Sequence, residues 1–352
     1  MTSSNVFPGS SSAVDLASLR PVEGPPTIDG PNPMPLDWAD RVPRMRELYD
    51  KATSSHYNPM TELPWDSLRP GDFTPDERIA LAYWFSVDGS FENSGVPTFA
   101  EAMIASREGH YGDDVSRVLL TIARDEAHHD DICKRAAQTL VPGFPFNWQP
   151  TNDLGKMAVA NLRWISFINS RYWTGYKKAF QKRRFSAITT AFIMGEAAAS
   201  LIFRRSGELS EHPLFGEAFR LIGRDEARHF AFCNHLGAKE FSSFTDEEKE
   251  TMTKNIRASF IYVSLILDTP RLPFWDAPDG FAQAHLALED LASRAGLGLP
   301  DLDERQELWQ KAALRTKDIT DPAGIVFPAM PEVGISGQET PLTEEDFVVM
   351  SF

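Results

Sequence analysis

The chain has 352 residues, 42% of them hydrophobic, enough for one large or two ordinary domains with a buried core. There are 50 acidic and 35 basic residues, a net charge of −15, which argues against a broad surface for nucleic acid or anionic lipid. Two cysteines are too few for a disulfide framework or a four-cysteine zinc or iron–sulfur site. The start of the chain lacks the pattern of an export signal, and no apolar run reaches the roughly 18 residues that span a bilayer. We expect a soluble, cytoplasmic protein with no nucleic-acid or membrane partner.

The first predicted elements are an irregular arm and a long helix. Residues 1–36 are rich in Pro, Ser and Gly, and they are predicted to form an extended arm. A helix is predicted to begin at Pro75, after Thr74 as its capping residue. Gly95 and Pro97 predict that this helix bends or breaks soon after residue 94.

The rest of the chain is predicted to be helical almost to its end, so the predicted fold class is all-α, with a helical bundle as its simplest architecture. Residues 321–352 are again irregular and end in an acidic, hydrophobic sequence, EEDFVVMSF. The predicted organisation is the arm, a helical domain over 37–320 and a C-terminal tail over 321–352. Hydrophobic periodicity predicts the further helices over 113–140, 153–180, 185–206, 212–240, 246–268, 280–295 and 303–317.

Two similar decapeptides, RDEAHHDDIC at 124–133 and RDEARHFAFC at 224–233, are identical at six of ten positions. Each carries a Glu-x-x-His pair, Glu126 with His129 and Glu226 with His229, at the end of an otherwise apolar helical stripe. One such pair arises easily by chance on a helix surface. A carboxylate and an imidazole directed into a core are costly unless they are paired or bind metal, so two copies on apolar stripes predict a metal site.

A dinuclear site in a four-helix bundle needs one further Glu from each of the other two helices. Glu196 is the only acid in the predicted helix 185–206 and has apolar neighbours. Glu92 lies at a similar distance before the first motif as Glu196 before the second. Asp88, one turn earlier on the same face, is an alternative to Glu92, and Glu101 is a third. The predicted metal ligands are Glu92, Glu126, His129, Glu196, Glu226 and His229, and the four glutamates are the predicted catalytic residues.

Other side chains are predicted to surround these ligands. Asp125 is placed to accept the second imidazole N–H of His229, and Asp225 that of His129, which would orient both rings. His128 and Arg228 are predicted to carry charge at the surface or around the site. The candidate residues for a substrate pocket lie about one turn from the ligands on apolar stripes, where the alternative is a plain core position: Phe91, Ile122, Ile193, Ala199, Ser200, Phe203 and Ile222.

These motifs resemble the ferritin-like di-iron carboxylate superfamily, specifically its O2-activating oxygenase and oxidase branch. The resemblance covers residues of about 75–240. It implies a ferritin-like four-helix bundle core with additional helices and irregular terminal arms. It also implies a cofactor of two iron ions, with a mixed Mn–Fe pair left open, and O2 as co-substrate; an oxygen-rich ligand set with two imidazoles suits either metal.

Two positions distinguish branches of this superfamily. Cys133 occupies the position where the ribonucleotide reductase small subunit commonly carries its radical tyrosine, and the hydroxylase component of soluble methane monooxygenase is similar to this chain in having a Cys there. Cys133 is therefore predicted to lie beside the metal ligands, where packing is its alternative role. Arylamine N-oxygenases, which the chain resembles in size and arrangement, have a third histidine where this chain has Ile222.

The resemblance implies a non-haem di-iron monooxygenase that hydroxylates or N-oxygenates a small organic substrate, in a biosynthetic pathway. The alternatives are a di-iron oxidase or desaturase, a metalloprotein like the ribonucleotide reductase small subunit, and a non-catalytic metal-binding protein. No dinucleotide-binding fingerprint follows a predicted strand, so an external electron donor, a ferredoxin or a reductase, is expected. A homodimer is the expected oligomeric state.

Overall fold

The computed structural model describes residues 42–182, 192–267 and 280–343. These segments contain no β-strand, only two isolated bridges near the C-terminal end. The all-α prediction is confirmed. The α-helices of the described segments are α1 Pro43–Ser54, α2 Pro75–Glu108, α3 Asp113–Leu140, α4 Asp153–Lys182, α5 Ile193–Leu209, α6 Pro213–Glu240, α7 Asp246–Leu267, α8 Phe281–Ala292 and α9 Leu302–Thr320.

Four of the helices form the core of the fold. Helix α2 packs along α3, α5 packs along α6, and α3 meets α6 where the two pairs join. Only residues 109–112 separate α2 from α3, and only residues 210–212 separate α5 from α6, so each pair is an antiparallel hairpin of helices. Helix α4 packs against α2, α7 and α9 pack against α5, and α1 packs against α3 and α6. The predicted four-helix core with additional helices is therefore present.

Helix α2 begins as its sequence predicts but does not end there. The Thr74 hydroxyl accepts a hydrogen bond from the Glu77 backbone N–H at 3.3 Å, and the Thr74 N–H donates to the Glu77 carboxylate at 2.7 Å. The predicted break soon after residue 94 does not occur, because α2 continues through Gly95 and Pro97 to Glu108. Proline removes one helical hydrogen bond, and packing of α2 along α3 offsets that local cost.

The remaining boundaries agree with the predictions to within a few residues. Helix α1 is an exception that the sequence did not indicate. Helix α8 ends at Ala292 and is followed by a π-helical turn over Ser293–Leu297. Parts of the predictions lie outside the described residues: the arm over 1–36, residues 185–191, residue 268 and the end of the tail over 344–352.

The described part of the predicted tail, residues 321–343, is irregular but packs against the helices. Phe327 and Met330 are buried in the core. The Val326 carbonyl accepts a hydrogen bond from the Thr253 hydroxyl of α7 at 2.7 Å. This stretch is thus part of the folded body. No helix in the described segments is both long and apolar enough to cross a membrane.

Candidate metal centre

The two Glu-x-x-His motifs lie in the middle of α3 and α6, the central helices of the two hairpins. Glu92 comes from α2 and Glu196 from α5, so each of the four core helices contributes to one site. All six predicted ligands are buried, with exposed fractions from 0% for His129 to 8% for Glu196. The internal repeat therefore yields two similar halves, each a hairpin that supplies one Glu and one Glu-x-x-His.

The ligand atoms of these six residues form two groups, each with its atoms within 4.8 Å of one another. Glu92, Glu126, His129 and Glu226 make up one group. Glu126, Glu196 and His229 make up the other. Because Glu126 belongs to both groups, the geometry offers two adjacent cation positions with a shared carboxylate. The structure thus brings together all six residues that the sequence predicted as ligands.

Both histidines direct Nδ1 towards the carboxylates of this cluster. His129 Nδ1 lies 3.0 Å from Glu92 Oε2 and 3.4 Å from Glu226 Oε1. His229 Nδ1 lies 3.2 Å from Glu126 Oε1 and 3.5 Å from Glu196 Oε2. The Nδ1 atoms are therefore the ring atoms available to metal ions.

The opposite ring atoms, Nε2, face aspartates of the other motif. His129 Nε2 lies 3.5 Å from Asp225 Oδ2, and His229 Nε2 lies 3.6 Å from Asp125 Oδ2. The sequence predicted these two pairs, but both separations exceed the usual hydrogen-bond length by about half an ångström, and neither Nε2 atom has a hydrogen-bond partner among the described residues. An aspartate that accepts the Nε2 proton leaves the Nδ1 lone pair for a metal ion.

Arg228 links the two aspartates, a role that was not assigned to it from the sequence. One guanidinium nitrogen, Nη2, lies 3.0 Å from Asp125 Oδ2 and 2.6 Å from Asp225 Oδ1. Burial raises the pKa of both carboxyls, but the histidines and arginines around them hold each pKa below its usual range. The aspartates are therefore charged acceptors. The two copies of the repeat differ at this position, since the second has Arg228 where the first has His128. That difference could have indicated a separate role for Arg228.

Asp88 and Glu101, the alternatives to Glu92, do not join either group of ligand atoms. Asp88 is fully buried one turn before Glu92, and its Oδ2 accepts a hydrogen bond from Cys133 Sγ at 3.3 Å. Burial and the nearby Glu92 charge raise the pKa of Asp88 well above its usual value, and burial likewise raises that of Cys133. Burial thus favours the neutral forms of the Asp88 acid and the Cys133 thiol, which lie beside the cluster.

The charge of the cluster fits two divalent cations. Burial, and then repulsion from Glu92, raises the pKa of Glu126 well above its usual value, and burial with repulsion from Glu196 raises that of Glu226 to about 7. Within the described part of the chain, Glu196 Oε2, Glu226 Oε1 and His229 Nδ1 have no hydrogen-bond partner although they are buried. Four carboxylates balance two divalent ions, and carboxylate with imidazole suits iron or manganese.

A cavity of about 100 Å³ opens beside the cluster, between α2, α5 and α7. We call it the metal-side cavity. Glu92, Glu126, Glu196 and Glu226 line one part of it, and the predicted pocket residues Phe91, Ala199 and Phe203 line another. Further lining residues, which the sequence did not single out, are Ser94, Thr98, Phe99, Phe192, Tyr262 and Val263.

Four other predicted pocket residues do not line this cavity. Ile122, Ile193 and Ile222 are buried core positions. Ser200 is buried as well, and its hydroxyl donates to the Ala197 carbonyl of its own helix at 2.9 Å. Spacing from a predicted ligand identifies residues on a neighbouring turn of the same helix. Whether such a residue faces the cavity depends on how the helix is rotated against its neighbours.

Comparison with known proteins gives matches only among solved structures, since no protein-family model and no curated protein matches the chain. An R2-like ligand-binding oxidase variant with an aerobically reconstituted Mn/Fe cofactor superposes with a TM-score of 0.51 at 18% sequence identity, over 81% of this chain and 99% of that one. A second variant, with an anaerobically reconstituted Mn/Fe cofactor, gives 0.52 at 18% identity, over 81% and 95%. The chain has a ferritin-like fold. This confirms, at the level of the fold, the resemblance drawn from the two motifs.

Within this ferritin-like fold the two hairpins are related by the internal repeat. Arg124 and Arg224 each bond the aspartate that follows them, at 2.7 Å and 3.1 Å. Each also donates to a backbone carbonyl at the end of α1, that of Ala52 or Ser55. Helix α1 therefore closes the site on the aspartate side, whereas the metal-side cavity opens on the opposite side, along the glutamates.

Proposed function

We propose that the protein binds two redox-active metal ions through Glu92, Glu126, His129, Glu196, Glu226 and His229 and acts as an O2-dependent oxidoreductase. The observation that carries this proposal is the convergence of four carboxylates and two imidazoles, all buried, in two groups with a shared Glu126. Such a set of charges is costly in a core without cations. The metal-side cavity, which the four glutamates help to line, would provide room for substrate.

The metal is proposed to be an iron pair or a mixed manganese–iron pair. The ligand chemistry suits both ions, and the R2-like oxidase structures with which this chain shares its fold carry Mn/Fe cofactors. The bound ions would supply the electrons that reduce O2. The proposal does not depend on which pair is bound.

The residues of the chain have three tasks in this function. The glutamates and Nδ1 atoms hold the ions, and a carboxylate can bind through one oxygen or two as the charge on the ions changes. Asp125, Asp225 and the bridging Arg228 fix the tautomer and direction of both imidazoles. Phe91, Phe99 and other apolar lining residues exclude bulk water, which strengthens the electrostatic interactions in the site.

For the reaction, we propose monooxygenation, by hydroxylation or N-oxygenation, of a small and largely apolar molecule. The aromatic lining of the metal-side cavity supports a substrate of that kind. A two-electron oxidation without oxygen insertion is the second candidate, favoured by the oxidase activity in the names of the structural neighbours. Electrons are proposed to come from a separate donor protein. The homodimer and the cytoplasmic location stay predictions.

Metal loading and oxygen consumption test the proposal together. Anaerobic reconstitution with Fe(II), or with Mn(II) and Fe(II), is expected to give two ions per chain, one for each group of ligand atoms, by elemental analysis. Rapid mixing with O2 should then consume O2 and change the optical spectrum, and Glu126→Ala should abolish both. Glu307→Gln, at an exposed position on α9, is the matched control. Uptake of many irons per chain would indicate storage instead, and reconstituted protein that ignores O2 would refute the proposal.

A further inference from the structure

A second and much smaller cavity, of about 10 Å³, shares Phe203 with the metal-side cavity as a lining residue. We call it the inner cavity. Its polar lining comes from four helices: Trp84 of α2, Ser206 of α5, Glu289 of α8 and Arg305 of α9. All four residues are buried, with exposed fractions from 1% for Ser206 to 7% for Arg305. The inner cavity is therefore a polar site within the core, and none of these four residues belongs to the Glu/His cluster.

Two of the polar atoms around the inner cavity lack a partner. Trp84 Nε1 and Ser206 Oγ are buried and have no hydrogen-bond partner in the described part of the chain. A buried donor that stays unpaired costs free energy, and buried polar groups in folded proteins are in most cases bonded to the protein or to ordered water. Because both residues line the inner cavity, a partner for both is expected inside it.

Glu289 and Arg305 add a charged pair to the lining. Arg305 Nη1 lies 3.1 Å from Glu289 Oε2, and Arg305 Nε donates to the Pro300 backbone carbonyl at 2.8 Å. His285 Nε2 lies 3.4 Å from Glu289 Oε1. Burial raises the pKa of Glu289, but the charges of His285 and Arg305 hold it below its usual value. The carboxylate is therefore charged, and it has lone pairs for a further donor.

The chemistry and size of the inner cavity together select its occupant. An indole N–H can only donate, so the occupant must accept a hydrogen bond from Trp84; a carboxylate can only accept, so it must also donate to Glu289. Ammonium cannot accept and chloride cannot donate, whereas water does both. A volume of about 10 Å³ is at the lower end of the roughly 10–15 Å³ that one water molecule needs, and far below the roughly 150 Å³ of a cavity that binds benzene. Both criteria are met by a single water molecule.

We propose that the inner cavity binds one water molecule, which accepts a hydrogen bond from Trp84 Nε1, donates one to the Glu289 carboxylate and forms a third with the Ser206 hydroxyl. Three hydrogen bonds are the typical number for a buried water. This water joins α2, α5 and α8 next to Phe203, and it thereby supports one wall of the metal-side cavity. The inference does not depend on the proposed function, because it requires neither metal nor substrate.

A high-resolution crystal structure of the full chain tests the inference directly. It is expected to show one ordered water at a hydrogen-bond distance, about 2.7–3.2 Å, from both Trp84 Nε1 and Ser206 Oγ. The structure of Trp84→Phe should lack this water, because the substitution removes the indole donor. An inner cavity without electron density in the wild type would overturn the inference, and so would a water that keeps its place in Trp84→Phe.

A double-mutant cycle tests the same link in solution. Trp84→Phe and Ser206→Ala should each lower the thermal unfolding midpoint by a few degrees. If both side chains bind one water, the double variant should lose less than the sum of the two single losses. Trp309→Phe is the matched control, because Trp309 Nε1 is also buried without a partner among the described residues but Trp309 does not line the inner cavity. Its loss should add to that of Ser206→Ala. Additive losses for Trp84→Phe and Ser206→Ala would refute a shared water, and circular dichroism checks that each variant is folded.

Discussion

The backbone of Gly95 passes so close to Glu126 that a Cβ atom at residue 95 would lie 2.5 Å from Glu126 Oε2. Real Cβ atoms do not approach other atoms to that distance, so only glycine fits at this position without movement of the carboxylate. Glu126 is also the residue that both groups of ligand atoms share. Gly95 therefore allows the close approach of the Glu126 carboxylate, and it does not mark the end of α2.

Gly95→Ala is therefore expected to weaken metal binding by about tenfold or more, as for other changes that misdirect a ligand. Alanine favours a helix over glycine by about 1 kcal/mol, so the metal-free variant should remain folded while its metal affinity falls. Competition with a chelator measures the affinity. Gly71→Ala is the control, since a Cβ there meets nothing within 4 Å. If Gly95→Ala retained its full metal affinity, the Glu126 carboxylate could move away from residue 95 without weakening metal binding.

Substitutions of Glu92 and Asp88 are expected to have different effects on metal binding, although both residues are acids on the same face of α2. Glu92→Gln removes a proposed ligand carboxylate, whose oxygen lies 3.0 Å from His129 Nδ1, so metal content should fall below two ions per chain. Asp88→Asn replaces an acid that lies outside both groups of ligand atoms and whose raised pKa favours its neutral form, so metal content should be retained. Elemental analysis of both variants after the same reconstitution decides between them. The reverse result would make Asp88 the ligand.

The sequence predicted the helices and the six residues of the Glu/His cluster because both leave local signals. Hydrophobic periodicity defines helices, and the repeated motif places Glu126, His129, Glu226 and His229 on apolar stripes. Glu196 followed from its isolation among apolar residues. These inferences need only the spacing within one helix and the number of ligands that a dinuclear site requires.

Contacts between distant helices left no such signal. The hydrogen bond of Tyr262 with Asn169 joins residues 93 positions apart, and neither residue belongs to a motif. Pocket residues were predicted by spacing from the ligands, which gives a turn but not the rotation of the helix, so Phe203 lines the cavity and Ser200 does not. Rotation is set by packing against neighbours, which a single sequence does not reveal.

Arg228→Gln should lower metal affinity even though Arg228 is not a ligand. The substitution removes the positive charge between Asp125 and Asp225, 3.0 Å and 2.6 Å from their oxygens, and leaves both aspartates less able to orient the imidazoles. We expect a loss of about 10- to 100-fold, measured by chelator competition. Arg204→Gln, at a side chain that is 77% exposed, should have no effect. An equal loss in both variants would point to net charge instead.

The metal-free protein is expected to lose stability as the pH rises from about 5 to about 8. The folded state raises the pKa of Glu226 from 4.5 to about 7, and those of Glu126, His129 and His229 well above their usual values. Between the unfolded and folded pKa values the folded state binds more protons, so the free energy of unfolding falls with rising pH. The lowered pKa of Asp225 acts in the opposite sense, but only below about pH 4. Thermal unfolding with chelator present measures this trend, and a midpoint that rises over the same range would contradict it.

Glu226→Gln is expected to stabilise the metal-free protein at pH 8 while it destroys metal binding. Glutamine cannot lose a proton, so the variant avoids the cost of a buried charge that burial and Glu196 impose on Glu226, and its unfolding midpoint should exceed that of the wild type by several degrees. Glu217→Gln on the same helix is the control, because the hydrogen bond from Arg220 lowers the pKa of Glu217, and that variant should gain nothing. A similar gain in both variants would mean that net charge, rather than the crowding of acids in the cluster, limits stability. A gain confined to Glu226→Gln would show that the crowded carboxylates of the cluster destabilise the metal-free fold. Bound cations would offset this cost.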